Sequence, residues 1–228
     1  MMHRGTDSEI IVVRLSLMIA FAVVMCLTYG CVRDEAKEMY ELGQKYLDGD
    51  GVEKNVSKAI DLFRESAELG NAEAQWMVGL VYDKGVDGIV TKNPRKALRW
   101  YRESAEQGYV NAMVSLGNCY VNGVGVTEDP REAVRWYGLA AERGNAFAQT
   151  QLGTFYMLGL GVRKNPEMGV SLYRKGADQG DAAAQYLLGL CYQEGDGVKR
   201  SPQEAKLWFR KAAVQGHKAA KKELERYY

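Results

Sequence analysis

One unit of sequence recurs five times, and that periodicity limits what the chain can fold into more than any single residue does. Between Glu35 and Gly216 the copies close on Gly70, Gly108, Gly144, Gly180 and Gly216, spaced by 36 residues except for one interval of 38. A fixed period of about 20–50 residues marks a stacked-repeat architecture. Each copy holds an internal Gly (Gly43, Gly79, Gly117, Gly153, Gly189) with a Tyr three residues later (Tyr46, Tyr82, Tyr120, Tyr156, Tyr192). A paired-Gly turn follows, as in Gly123-Val124-Gly125-Val126. Next come Asn55-Val56, Asn93-Pro94, Asp129-Pro130, Asn165-Pro166 and Ser201-Pro202. An aromatic (Phe63, Tyr101, Tyr137, Tyr173, Phe209) and an Ala four residues on (Ala67, Ala105, Ala141, Ala177, Ala213) complete the pattern.

Elementary backbone chemistry turns this pattern into helix–turn–helix units. Asn, Asp or Ser caps the free amides of a helix start, and Pro is tolerated just after because its missing N–H had no partner there. All four prolines of the chain stand in that role. The closing Gly fits a left-handed helix end. The internal Gly costs about 1 kcal/mol against Ala in a helix, so its recurrence predicts close approach of a neighbouring helix. One copy cannot bury its apolar face alone, whereas stacked copies share a core. Residues 217–228 read as a C-terminal capping helix, with Glu225 where the internal Gly would stand. The two extra residues of the second copy fall in its turn, Gly85 to Val90, where insertions do least harm.

The phased elements, seen clearly in Ala148…Leu152-Gly153-Thr154-Phe155-Tyr156 and in Asp129-Pro130…Trp136-Tyr137, resemble the Sel-one-like repeats, a subclass of the tetratricopeptide-type helical repeats. The resemblance covers residues 35–216 and implies an all-α, right-handed α-solenoid of five repeats (35–70, 71–108, 109–144, 145–180, 181–216) with a cap at 217–228. The first copy departs from the pattern, with Val56 in place of Pro and Glu38 where others carry Ala, which suits a terminal repeat.

Residues 1–30 read as a targeting segment. Leu15 to Leu27 is a thirteen-residue apolar block preceded by Arg14, too short to span a bilayer comfortably and of the form of a secretory signal. An uncleaved anchor is the alternative. Asp7 and Glu9 are unusual before such a block, and a start near Val13 would remove them. Leu27-Thr28-Tyr29-Gly30-Cys31 resembles a bacterial lipoprotein processing site, implying lipid on Cys31; ordinary cleavage into a secreted soluble protein is the other reading. Residues 31–34 then form a short linker.

The rest of the composition narrows function by subtraction. A net charge of +1 without a basic block argues against nucleic-acid binding. Lys96, Arg99 and Arg102 follow helical spacing and read as solvated outer faces. Cys119 and Cys191 hold one repeat position two copies apart, on the order of 20 Å at ordinary helix spacing, beyond the reach of about 7 Å that a disulfide requires. They read as small buried apolar residues. The chain has two histidines, His3 and His217; neither a His metal cluster nor a Ser-His-Asp arrangement is expected. No catalytic residue, metal site or cofactor is assigned.

By resemblance, the first helix of each repeat lines a concave groove. The implied partner-binding positions lie three residues before the internal Gly (Tyr40, Trp76, Val114, Thr150, Tyr186) and one after it (Gln44, Leu80, Asn118, Thr154, Leu190). None is Lys or Arg, so a basic clamp for C-terminal carboxylates is not reproduced. Trp76 and Tyr186 are natural anchors for a partner, or else pack against neighbouring helices. The expected function is a non-enzymatic scaffold for a protein or peptide, exported to the periplasm or outer membrane. Alternatives are a β-lactam-binding or cell-wall enzyme, implied by a cysteine-rich branch whose paired cysteines this chain lacks, and a secreted effector engaging host proteins.

Overall fold

The computed structural model describes residues 32–227, so the targeting segment, Cys26 and Cys31 lie outside the described residues. The chain forms two compact units, one ending at Val78 and the other beginning at Gly79. Eleven helices occur among the described residues. Helix α1 covers 32–48. It is followed by α2 (Val56–Glu68), α3 (Ala72–Lys84), α4 (Pro94–Glu106), α5 (Val110–Asn122), α6 (Pro130–Glu142) and α7 (Ala146–Leu158). Helices α8 (Pro166–Asp178), α9 (Ala182–Glu194), α10 (Pro202–Val214) and the cap α11 (Lys218–Tyr227) complete the set. The architecture is the all-α helical repeat that the period demands.

Both ends of the second helices are built as the residue types require. The side chains of Asn55, Asn93, Asp129, Asn165 and Ser201 accept backbone N–H bonds from the first turn they cap. At the other end the closing Gly takes positive φ, between +84° and +93°. Gly144 N–H bonds the Ala141 carbonyl and Asn145 N–H bonds that of Ala140. The same double bond recurs at Gly180 and Asp181, satisfying carbonyls that a helix end leaves open.

The internal Gly meets the aromatic of the following helix. In the first unit a Cβ on Gly43 would stand 2.6 Å from the Phe63 ring. In the second, Gly79, Gly117, Gly153 and Gly189 are covered in the same way by Tyr101, Tyr137, Tyr173 and Phe209. Successive helices from α4 to α11 pack on one another. Their shared interior joins Leu188, Cys191 and Phe209 to Ala220 of the cap. The second Gly of the turn has its own cause: a Cβ on Gly161 would collide with the Pro130 backbone. The insertion at 85–90 closes as a small hairpin, with Val86 and Val90 exchanging two N–H···O bonds of 2.8 Å.

Candidate functional site

The first-helix positions divide into residues that the chain uses itself and residues that keep exposed surface. Asn118 Oδ1 accepts the Tyr137 hydroxyl at 2.7 Å, and Thr154 Oγ1 meets the Tyr173 hydroxyl at 3.0 Å. Thr150 is only 2% exposed; its hydroxyl bonds Ala146 O at 2.9 Å and approaches Asp181 at 3.3 Å. Thr150 therefore has almost no surface to offer a partner. Leu190 packs partly into the core beside Phe209. Tyr186 tilts against Phe209 and stacks on His217 with ring centroids 4.6 Å apart. His217 is occupied in capping α11, where its Nδ1 accepts Ala220 N–H. In the first unit Tyr40 lies against Phe63 and accepts a hydrogen bond from Gln44, while Trp76 is half-buried. Leu80 and Val114, in the second unit, are also half-buried.

A second repeating arrangement surrounds the Tyr three residues after the internal Gly. Its carbonyl accepts the N-cap amide of the next helix, as Tyr156 O does from Asn165 N–H at 2.8 Å. Its ring and hydroxyl draw a cation. Lys58 Nζ donates to the Tyr46 hydroxyl at 2.7 Å, and Lys96 Nζ lies 5.2 Å from the Tyr82 ring centroid. Arg102 Nη2 donates to the Tyr120 hydroxyl at 2.9 Å, and Arg174 Nη2 donates to that of Tyr192 at 2.6 Å. Lys96 and Arg102 are exposed, but they are engaged with tyrosines rather than simply solvated. At Tyr156 both cation positions have changed: Gly138 stands where Arg102 and Arg174 stand, and Met168 where Lys58 and Lys96 stand. Sequence reasoning passed over these residues, although aligning the copies would have singled out Gly138 and Met168.

Burial, not ion pairing, perturbs the titrating groups. It pushes the Cys119 thiol up to about 12, with Asp83 adding to the effect, and the Cys191 thiol up to about 11. Both cysteines are free and buried. Burial also raises the Tyr101 and Tyr137 phenols. These are neutral core groups, suited to holding helices together. Among the described residues no cluster of His, Cys, Asp or Glu is placed to hold a metal ion, and no helix is long and apolar enough to cross a membrane. What the surface offers is contact chemistry: half-exposed aromatics, apolar side chains and amide groups.

Known proteins share this architecture. A family model described as Sel1 repeat matches residues 39–71, 72–109, 110–145, 146–181 and 182–217. The chain is 36% identical to a Sel1 repeat protein from Oxalobacter formigenes, with a TM-score of 0.78 over 84% of this chain and 76% of that one. It is 34% identical, with the same TM-score, to c5321, a protective antigen present in uropathogenic Escherichia coli strains and displaying an SLR fold; 83% of this chain covers 40% of that one. At 24% identity and a TM-score of 0.51, the immunity protein Pa5087 from Pseudomonas aeruginosa shares the fold alone, over 82% of this chain and 68% of its own. No curated protein sequence matches the chain.

Proposed function

The chain belongs to the Sel1 repeat family, and from that membership we propose a non-enzymatic scaffold that holds a protein or peptide partner at the bacterial envelope. Proteins of this family are generally protein-interaction scaffolds. The observation that carries the reading is the contrast between two sets of positions. The residues that repeat, such as the internal Gly and the aromatic over it, are buried, whereas Trp76, Val114, Tyr186 and Leu190 differ from copy to copy and keep part of their surface. Partly exposed aromatic and aliphatic side chains on helices give a partner large contact area at low entropy cost. The apolar block before Cys31 supports export, and Cys31 supplies the lipid attachment point in this reading.

Crosslinking in cells followed by mass spectrometry tests it, with the Trp76→Ala variant compared against the unaltered protein. The expected outcome is weaker partner capture with an unchanged melting temperature; a large fall in melting temperature would instead make Trp76 a packing residue and remove it from the surface. Fatty-acid labelling of the unaltered protein and of Cys31→Ala tests the anchor, and equal labelling would sink it.

A further inference from the structure

We propose that the slot beside Tyr156 receives an arginine side chain from a partner polypeptide, entering over Gly138. The repeats supply their own comparison. Tyr46, Tyr82, Tyr120 and Tyr192 each draw a cation from within the chain, whereas both positions that would serve Tyr156 are held by uncharged residues, Gly138 and Met168. The two nearest equivalents show what fits from the Gly138 side. Arg102 and Arg174 stand eighteen residues before their tyrosines and donate a guanidinium N–H to each hydroxyl, as Gly138 stands eighteen before Tyr156.

Gly138 itself is the second observation. A helix-interior glycine is destabilising unless something approaches too closely for a Cβ. The other glycines inside helices meet that condition, from the Phe63 ring over Gly43 to Met157 over Gly169 and Thr150 over Gly176. A Cβ on Gly138 would find nothing within 4 Å. The chain's own packing leaves open space over Gly138, room for a side chain arriving from outside. The surroundings suit such an arrival. Leu158 is 62% exposed, Leu160 45% and Met168 44%, all flanking the turn that follows Tyr156. At the place of Leu158 the other copies carry Asp48, Lys84, Asn122 and Glu194. Exposed apolar side chains grouped in this way mark interaction sites, and a cation held over a tyrosine gains from the ring as well as from the hydroxyl. The occupant is therefore an arginine flanked by apolar residues.

This inference rests on the scaffold reading only in that a partner supplies the side chain; it places contact at a turn rather than on the first-helix positions. Its test is an NMR titration of the full chain, labelled at methionine methyls and tyrosine rings, with the peptide acetyl-Gly-Leu-Arg-Leu-Gly-amide. The same peptide with citrulline in place of arginine is the control, since it keeps the shape and loses the charge. The arginine peptide is expected to shift Met168 and Tyr156 signals saturably at concentrations on the order of millimolar, with the citrulline peptide at least about tenfold weaker. Gly138→Arg should abolish the response by filling the slot from within, and Tyr156→Phe should weaken it without unfolding the protein. Equal responses to both peptides, no response, or a response that survives in Gly138→Arg would overturn the proposal. Shifts of the same signals on diluting the protein alone would also overturn it, by putting a second copy in the slot. Loss of Trp76-dependent capture in cells has no bearing on these readouts, so the two readings fail separately.

Discussion

A Cβ on Gly117 would stand 2.5 Å from the Tyr137 ring, whereas a Cβ on Gly138, one residue beyond that tyrosine, would touch nothing. The same substitution should therefore have opposite effects at the two sites. Gly138→Ala gains helix propensity of about 1 kcal/mol. Gly117→Ala gains the same propensity but forces the tyrosine ring aside, and overpacking of this kind costs about 1–3 kcal/mol. Urea unfolding midpoints should rise for the first variant and fall for the second. A fall in both would mean that Gly138 is required by the chain's own packing. Close approach at the internal Gly was legible because five recurrences of a helix-weakening residue demand a cause. The roles of Asn118 and Thr154 were not. Both keep part of their surface at the positions expected to meet a partner, and both also accept or share a hydrogen bond with the phenol lying over the glycine. Where that aromatic is Phe209, which has no hydroxyl, the matching position is Leu190, so the signal lay in pairs of residues on different helices. Leu80 with Tyr101 and Gln44 with Phe63 break this correlation, which shows why it could not stand alone as a rule.

Helix ends were legible from residue type alone, since Asn, Asp or Ser before Pro and a closing Gly each have one natural place in a helix. The links between helix ends were not, because they depend on glutamines with no distinctive spacing in one copy. Gln149 is 5% exposed. It donates to the Ala141 carbonyl at the end of α6 and accepts from Gln179 at the end of α8. Gln185 repeats the arrangement with Ala177 and Gln215. The third copy replaces both members, with Met113 in the helix and Arg143 at the cap, where Arg143 turns back to the Leu139 carbonyl at 3.1 Å. A double-mutant cycle can import that solution. Gln149→Met alone should cost about 1 kcal/mol, because the Ala141 carbonyl keeps its bond from Gly144 N–H and loses only that from Gln149, while the Gln179 amide loses its acceptor. Adding Gln179→Arg should restore part of the loss, giving a coupling measurable by chemical denaturation. Strict additivity of the two changes would show that the ends of α6 and α8 are not linked through these side chains.

At the scale of the whole molecule the repeats share a chemical habit: their buried titratable groups are neutral. Cys119 and Cys191 occupy the position that Val81 and Phe155 hold elsewhere, which is why small apolar packing could be anticipated from sequence; among the described residues both are free. The consequence for pH needed the structure, because it depends on how far burial carries each group. Burial lifts the thiols from an ordinary 9.0 to about 12 at Cys119 and about 11 at Cys191, and it lifts the phenols of Tyr101, Tyr137 and Tyr173 as well. A group that holds its proton more tightly when folded stabilises the fold below its unfolded pKa, and that contribution disappears as pH rises through the folded value. These groups give no pH dependence near neutrality. The thiol contribution should be level from pH 7 to about 9 and decline from there toward about 11–12. Replacing both cysteines by Val, the residue found at the equivalent position 81, removes the thiol part. The stability difference between the unaltered protein and Cys119→Val/Cys191→Val should then stay constant below about pH 9 and move steadily in favour of the variant above it. Denaturant titrations at pH 7, 9 and 10.5 measure this difference, and one that does not change with pH would show that the thiols ionise as readily in the folded repeats as in the unfolded chain.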